Sequence, residues 1–196
     1  MSQPVPPPRE SRTALVLVDI QNDYFSDGRW PLSGAEAAAR NAALALDAAR
    51  EAADVVIHVR HEAPAAAPFF VAGSHGAAIH PAVAPRSGET VIVKRFPNAF
   101  RGTGLQAVLQ AQGIARIVLA GSMSHMCIDA TARAATDLGY AVTVLHDACA
   151  TRDLTFAATT VPAAQVQAVC MAALVFLGAD VISTAAHRAR HIATPA

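Results

Sequence analysis

Three side chains of contrasting chemistry stand at or just beyond the carboxyl ends of apolar, strand-like runs. Asp19 closes ALVLVDI (14–20), Lys94 closes TVIVK (90–94), and Cys127 follows RIVLAG (116–121), where a helical pattern begins. An acid, an amine and a thiol are together the parts of a nucleophilic site: a thiol to attack, an acid to take its proton, a cation to hold both. A cysteine opening a helix also has its thiolate favoured by the unsatisfied N–H groups and the dipole there, so the pattern predicts an acidified Cys127. Each residue alone has an ordinary reading: Asp19 as a turn or cap, Lys94 as a solvated charge, Cys127 as core. Shared position joins them, because ligands of open α/β sheets bind in the crevice outside the carboxyl ends of the strands.

Other candidates are less specific. His58 and His61 invite a metal reading, but residues i and i+3 on a straight strand face opposite sides. Even with His75 and His80 in the loop that follows, no metal and no cofactor are expected. His125, two residues before Cys127, reads either as a substrate contact or as a backbone-bonded turn residue. His146, at the end of a strand, reads either as ligand-facing or as a core histidine. Tyr24, Phe25, Trp30, Phe69 and Phe70 are half of the ten aromatic residues and fall in two loops beside the site, as pocket wall, subunit contact or both. Cys149 and Cys170 read as small apolar core residues.

The elements that must hold these residues alternate strand and helix. VVIHVR (55–60), AVTVLHD (141–147) and DVIST (180–184) bring the strands to six. Helical patterns cover 35–53, 104–112 with Thr103 as cap and Gly113 as stop, and 127–138 up to Gly139. A fourth starts at Pro162 and carries the stripe Val166, Val169, Cys170, Ala173, Leu174 and Leu177, ending at Gly178. Such alternation predicts right-handed crossovers and a parallel sheet with helices on both faces. The segment His61–Gly88, with Pro64, Pro68, Pro81 and Pro85, is too long for a plain connection, and long loops in compact domains tend to be functional. Residues 1–12 read as a mobile, proline-rich arm, 13–186 as a single domain, and 187–196 as a polar, solvated tail.

Composition removes several function classes. The chain has 196 residues, 53% of them hydrophobic and 15% charged, with a mean hydropathy of +0.33, so it has the means to bury a core and is not disordered over most of its length. Fifteen Lys and Arg balance fifteen Asp and Glu, leaving neither the basic footprint of a nucleic-acid binder nor the polybasic patch of a membrane-surface protein. Alanine makes up roughly a quarter of the chain, and no run approaches the ~18–20 apolar residues that span a bilayer. The N-terminus lacks the apolar run of a signal peptide. Three cysteines without metal-type spacing argue against a disulfide framework, so a cytoplasmic protein is expected.

Taken with their surroundings, the three reactive residues become specific. The sequence resembles the isochorismatase-like cysteine hydrolases, the superfamily of nicotinamidases, N-carbamoylsarcosine amidohydrolases and ureidoacrylate or biuret amidohydrolases. The resemblance runs from about Thr13 to Thr184 and is carried by ALVLVDIQNDYF (14–25), VIVKRFPNAFRGTGL (91–105) and IVLAGSMSHMCIDATARAATDLGYAVTVLHDACAT (117–151). Asp19 and Gln21 fit D-x-Q. Lys94, Phe100, Gly102, Thr103 and Leu105 fit the second segment. Gly121, Cys127, Thr131 and Arg133 fit the third.

That resemblance implies a three-layer, doubly wound, Rossmann-like α/β sandwich with a six-stranded parallel sheet in the order 3-2-1-4-5-6. It implies Cys127 as nucleophile, Asp19 as general base and Lys94 as orienting cation. It also implies a cis peptide between Ser122 and Met123, which aims the Met123 N–H, with that of Cys127, at a developing oxyanion. The reaction implied is hydrolysis of an amide, imide, ureido or lactam C–N bond in a small molecule, through a thioester. Isochorismatases of the superfamily cleave a vinyl ether without a nucleophilic cysteine, so that reaction is the alternative, and a non-catalytic binding protein on the same fold is another. Where nicotinamidases carry a metal-binding Asp-x-His, this chain has His61 and Ala63, which counts against a metal and against nicotinamide. Gln21, Phe25, Trp30, His61, Phe69 and His125 are the expected pocket residues, in loops more similar to those of uncharacterised cysteine hydrolases than to those of any named amidohydrolase. Family members are oligomers, which implies a dimer or tetramer here.

Overall fold

β1 (Arg12–Val18) is the centre of the molecule, and its sequence says why. Ala14 to Val18 are all apolar and all buried, as a strand covered on both faces must be. The computed structural model describes residues 12–193. From β1 the chain runs through α1 (Ala35–Glu51), β2 (Val55–His61), β3 (Thr90–Lys94), α2 (Leu105–Ala111) and β4 (Ile114–Ser122). Then follow α3 (Asp129–Asp137), β5 (Ala141–Ala150), β6 (Leu154–Phe156), β7 (Thr159–Val161), α4 (Ala163–Leu177), β8 (Asp180–Ile182) and α5 (Thr184–Ala193).

Six strands form one parallel sheet in the order β3-β2-β1-β4-β5-β8. This is the predicted order, with β8 as the sixth strand of the sheet. Side chains alternate between two cores. Leu15 and Leu17 of β1 pack with Ala38, Ala42, Ala45 and Leu46 of α1 on one face. Ala14, Val16 and Val18 pack with Leu109 of α2, Ala132 of α3 and Leu174 of α4 on the other. Alanine is what lets α1 lie close on the sheet: Ala42 and Ala45 are completely buried. β1 and β4 are adjacent at the centre, where the chain order reverses and a crevice opens at the carboxyl ends.

Several expectations need correction. The antiparallel hairpin β6–β7 stands outside the main sheet. Its turn has no Asn-Gly or Gly signal, and Ala157 takes the left-handed φ of 51° instead. The helix expected from Cys127 begins at Asp129, after a single π-helical turn over Ser124–Ile128 that carries Cys127. On α4, Val166, Met171 and Leu174 are buried, but Val169 is 68% exposed and Cys170 only half-buried, so Cys170 is not core. The helix is apolar on nearly every side, so spacing alone does not select its inner face. The polar tail is helical through Ala193: Ser183 caps α5 by accepting the Ala186 N–H, Asp147 accepts from the Thr184 N–H and hydroxyl, and His187 is buried. The proline-rich arm, except Arg12 in β1, lies outside the described residues, as do 194–196. Among the described residues no helix is long and apolar enough to cross a membrane.

Candidate active site

Gly121 brings β4 against β1 at the crevice. A Cβ there would lie 1.9 Å from the Val18 carbonyl oxygen, and its φ of 133° suits only glycine. Directly opposite, the chain leaves β1 through Asp19, a non-glycine residue at φ 52° whose N–H donates to the Val59 carbonyl at 2.8 Å. Holding that conformation costs about 1–3 kcal/mol, offset by the surrounding structure. It places a completely buried carboxylate at the strand end. Asp19 Oδ1 accepts no hydrogen bond among the described residues.

Lys94 ends β3, two strands and ~10 Å from β1. Only a long side chain reaches across. Its Nζ lies 2.7 Å from Asp19 Oδ2 and donates to Cys127 Sγ at 3.2 Å. One buried ammonium therefore binds the acid and the thiol together. Lys94 is 1% exposed and Cys127 6%. The same Nζ meets His61 Nδ1 at 3.2 Å; an ammonium can only donate, so Nδ1 accepts and the His61 proton sits on Nε2.

Electrostatics correct the expected acidified thiol. Burial pushes the Cys127 pKa well above its ordinary range, the Asp19 charge pushes it further, and Lys94 only partly opposes them. Burial works against the Lys94 charge as well, but Asp19 and Cys127 outweigh it and raise its pKa. Burial, then the Lys94 charge, lowers the His61 pKa and keeps the ring neutral. The resting site is thus a thiol, a carboxylate free to accept at Oδ1, and a permanent cation. Because the raised thiol pKa keeps sulfur protonated throughout the neutral range, kcat/KM is expected to show no rising limb near pH 8.5, the ordinary thiol value. A pH–rate profile from pH 6 to 9.5 checks this, and a limb with that midpoint refutes it.

Around this centre the expected residues divide. The Ser122–Met123 peptide is cis. His61 touches the centre through Lys94. Trp30 stacks on Phe69 with ring centroids 5.1 Å apart, and Phe69 lies 5.7 Å from Tyr24. His125 meets Thr151 Oγ1 through Nδ1 at 2.7 Å. Gln21 is occupied elsewhere: its amide bonds the His61 N–H, the His61 carbonyl and the Ala77 carbonyl at 2.7–2.9 Å. It ties down the long loop and has no donor left for a ligand. Phe25 is buried, stacks on His80 at 3.7 Å and lines a small cavity behind Asp19. His58 is absorbed by Glu89 at 2.9 Å, apart from His61, and His146 is exposed, which removes its core reading.

Two residues escaped the sequence reading. Asp23 is buried and accepts the Phe70 N–H at 2.6 Å and the Arg29 N–H at 3.2 Å, clamping the aromatic loops together. Gly76 lies so close to it that a Cβ would meet the carboxylate at 2.1 Å. Arg152 lies beyond β5 with its guanidinium carbon 4.3 Å over the Trp30 ring. Its sequence signal was present, a charge just past a strand's carboxyl end.

Residues 13–186 match the family model of the isochorismatase domain. The chain is 46% identical over 175 residues to the isochorismatase family protein YddQ of Bacillus subtilis, covering 89% of this chain and 97% of that one. It is 34% identical to a maleamate amidohydrolase of Pseudomonas putida, over 69% of this chain and 71% of the other. Among solved structures, an isochorismatase hydrolase from Oleispira antarctica superposes with a TM-score of 0.89 at 52% identity, covering 92% and 97% of the two chains. A cysteine hydrolase from Pseudomonas syringae also gives 0.89, at 25% identity, over 98% and 99%.

Proposed function

The chain belongs to the isochorismatase family of hydrolases, and within it we propose a cysteine-dependent enzyme that hydrolyses the C–N bond of a small amide, imide, ureido or lactam compound. The observation that carries this reading is the buried Lys94 ammonium joining Asp19 Oδ2 at 2.7 Å and Cys127 Sγ at 3.2 Å. Asp19 takes the thiol proton as Sγ attacks the carbonyl carbon, so the base acts in the same step that forms the C–S bond. The Met123 and Cys127 N–H groups receive the oxyanion. Asp19 returns the proton to the leaving nitrogen, the C–N bond breaks, and ammonia or an amine departs. Water then attacks the thioester with Asp19 as base, and the proton goes back to sulfur. Lys94 remains charged and keeps the carboxylate and sulfur in place. Trp30, His61, Phe69 and His125 form the wall that meets the substrate.

A homo-oligomer is the state that fits the exposed apolar side chains of α4 and the hairpin: Val169, Val175 and Phe176, with Phe156 89% exposed. Three unpaired cysteines fit a reducing, cytoplasmic setting. Ammonia release from a panel of maleamate, N-carbamoyl amino acids, biuret, nicotinamide and lactams tests the reaction class. At least one C–N substrate is expected to turn over in the wild type. Cleavage of isochorismate with none of these hydrolysed would overturn the reading in favour of the vinyl-ether reaction.

A further inference from the structure

α4 is apolar along almost its whole length, with Gln165 and Gln167 as its amide side chains. Gln167 is half-buried and occupied at both ends of its amide. Its Nε2 donates to the His146 carbonyl at 2.8 Å, and its Oε1 accepts from the Ser124 hydroxyl. The amide has one orientation here: a carbonyl can only accept, so Nε2 faces His146 and Oε1 faces Ser124. His146 lies where the ladder is irregular, β5 taking five steps from Val144 to Cys149 against two in β4 from Leu119 to Gly121. Ser124 is completely buried and opens the π-helical turn Ser124–Ile128 that carries Cys127. The Met126 and Ile128 N–H groups both donate to the Met123 carbonyl, at 3.0 and 3.2 Å, so the turn and Met123 form one piece. Side chains fasten that piece to its surroundings. His125 Nδ1 meets Thr151 Oγ1 at 2.7 Å, and the Ser124 hydroxyl faces Gln167 Oε1 on α4 and the Ala150 carbonyl on β5, the latter at 3.2 Å. A hydroxyl has one proton, so the two acceptors share it. Without Gln167 the proton turns wholly to Ala150, and the turn shifts with it.

We propose that Gln167 is a positioning residue of the active centre: through the Ser124 hydroxyl it holds the Cys127 turn where the Met123 and Cys127 N–H groups converge on the oxyanion. This role rests on the C–N hydrolase reading and its thioester step. Donors to an oxyanion work only where the charge develops, at about 2.7–3.1 Å, so a small shift of the turn weakens them. Gln167 acts at one remove, through Ser124, while Lys94 holds the thiol and its acid independently. Its loss therefore leaves the reactivity of sulfur in place and slows the steps that pass through an oxyanion.

The test compares two reactions of Cys127 in the full-length protein. 4-Nitrophenyl acetate is attacked at its carbonyl carbon: the thiol proton passes to Asp19, the C=O electron pair moves onto oxygen, and the oxyanion collapses to expel 4-nitrophenolate and leave acetyl on sulfur. Iodoacetamide is attacked at a saturated carbon, where sulfur displaces iodide and no oxyanion forms. Both rates are read by mass on the peptide containing Cys127, which separates it from Cys149 and Cys170. Deleting one oxyanion donor costs about a hundredfold to a thousandfold, and misplacing it a part of that, so Gln167→Ala is expected to acylate roughly tenfold more slowly and to alkylate within about twofold of the wild type. Gln167→Met keeps the side chain's volume and should behave alike, and it replaces Gln167→Ala if that variant does not fold. Ser124→Ala should show the same loss, and adding Gln167→Ala to it should cost nothing more. An unchanged ratio of the two rates, both rates falling together, or losses that multiply in the double variant overturn the role. Ammonia release from the panel is read separately. A ratio that depends on Gln167, with no C–N compound hydrolysed, upholds the positioning and overturns the hydrolase reading instead.

Discussion

Cys127→Ser is expected to lower kcat by on the order of 10^4-fold or more while the protein melts within a few degrees of the wild type. Sulfur and oxygen differ little in shape, and a hydroxyl accepts from Lys94 as sulfur does. Reactivity is another matter. The thiol is already held protonated by burial and by the Asp19 charge, so Asp19 must draw off its proton during attack. An alcohol asks far more of the same carboxylate. No histidine relay is available to help: His61 Nδ1 faces Lys94 and His125 Nδ1 faces Thr151. Ammonia release with the best panel substrate, with a melting curve as control, checks the result. Turnover of the serine variant near the wild-type rate defeats covalent catalysis.

Asp19→Asn should be nearly as damaging, lowering kcat by about 10^3-fold, within the usual worth of a general base. The amide keeps the volume but cannot take the thiol proton or activate water. It also removes the anion that sustains the Lys94 charge in a completely buried position. Breaking a buried pair in this way costs about 3–5 kcal/mol, so the melting temperature should fall measurably, unlike that of Cys127→Ser. Kinetics at a temperature where both variants remain folded separates the two effects. An Asp19→Asn enzyme with more than about a tenth of wild-type kcat contradicts the assignment of Asp19 as base.

What the sequence reveals here follows from how local each signal is. β1 and β4 are legible because strands covered on both faces must be apolar at nearly every position. The acid, amine and thiol are legible because each sits at a strand end, and parallel strands bring those ends to one edge. The thiol's protonation is not legible, since it depends on a burial of 94% and a neighbouring carboxylate that no spacing displays. Gln21 looks like a pocket residue until His61 and Ala77, far along the chain, are seen to occupy its amide. α5 likewise depends on Asp147 accepting from Thr184 across the fold. The inner face of α4 is hidden by apolar residues on its other sides, Phe176 among them.

Catalysis is expected to pass through a covalent bond to the Cys127 sulfur. Mass spectrometry of the intact protein, acid-quenched during turnover of the best panel substrate, tests it most directly. Wild-type protein is expected to carry the mass of the substrate's acyl fragment, located by peptide mapping to the segment containing Cys127 and removed by hydroxylamine. Asp19→Asn and Cys127→Ser should carry none. An unmodified wild-type mass under rapid quench, with a substrate whose burst kinetics show an accumulating intermediate, contradicts the account.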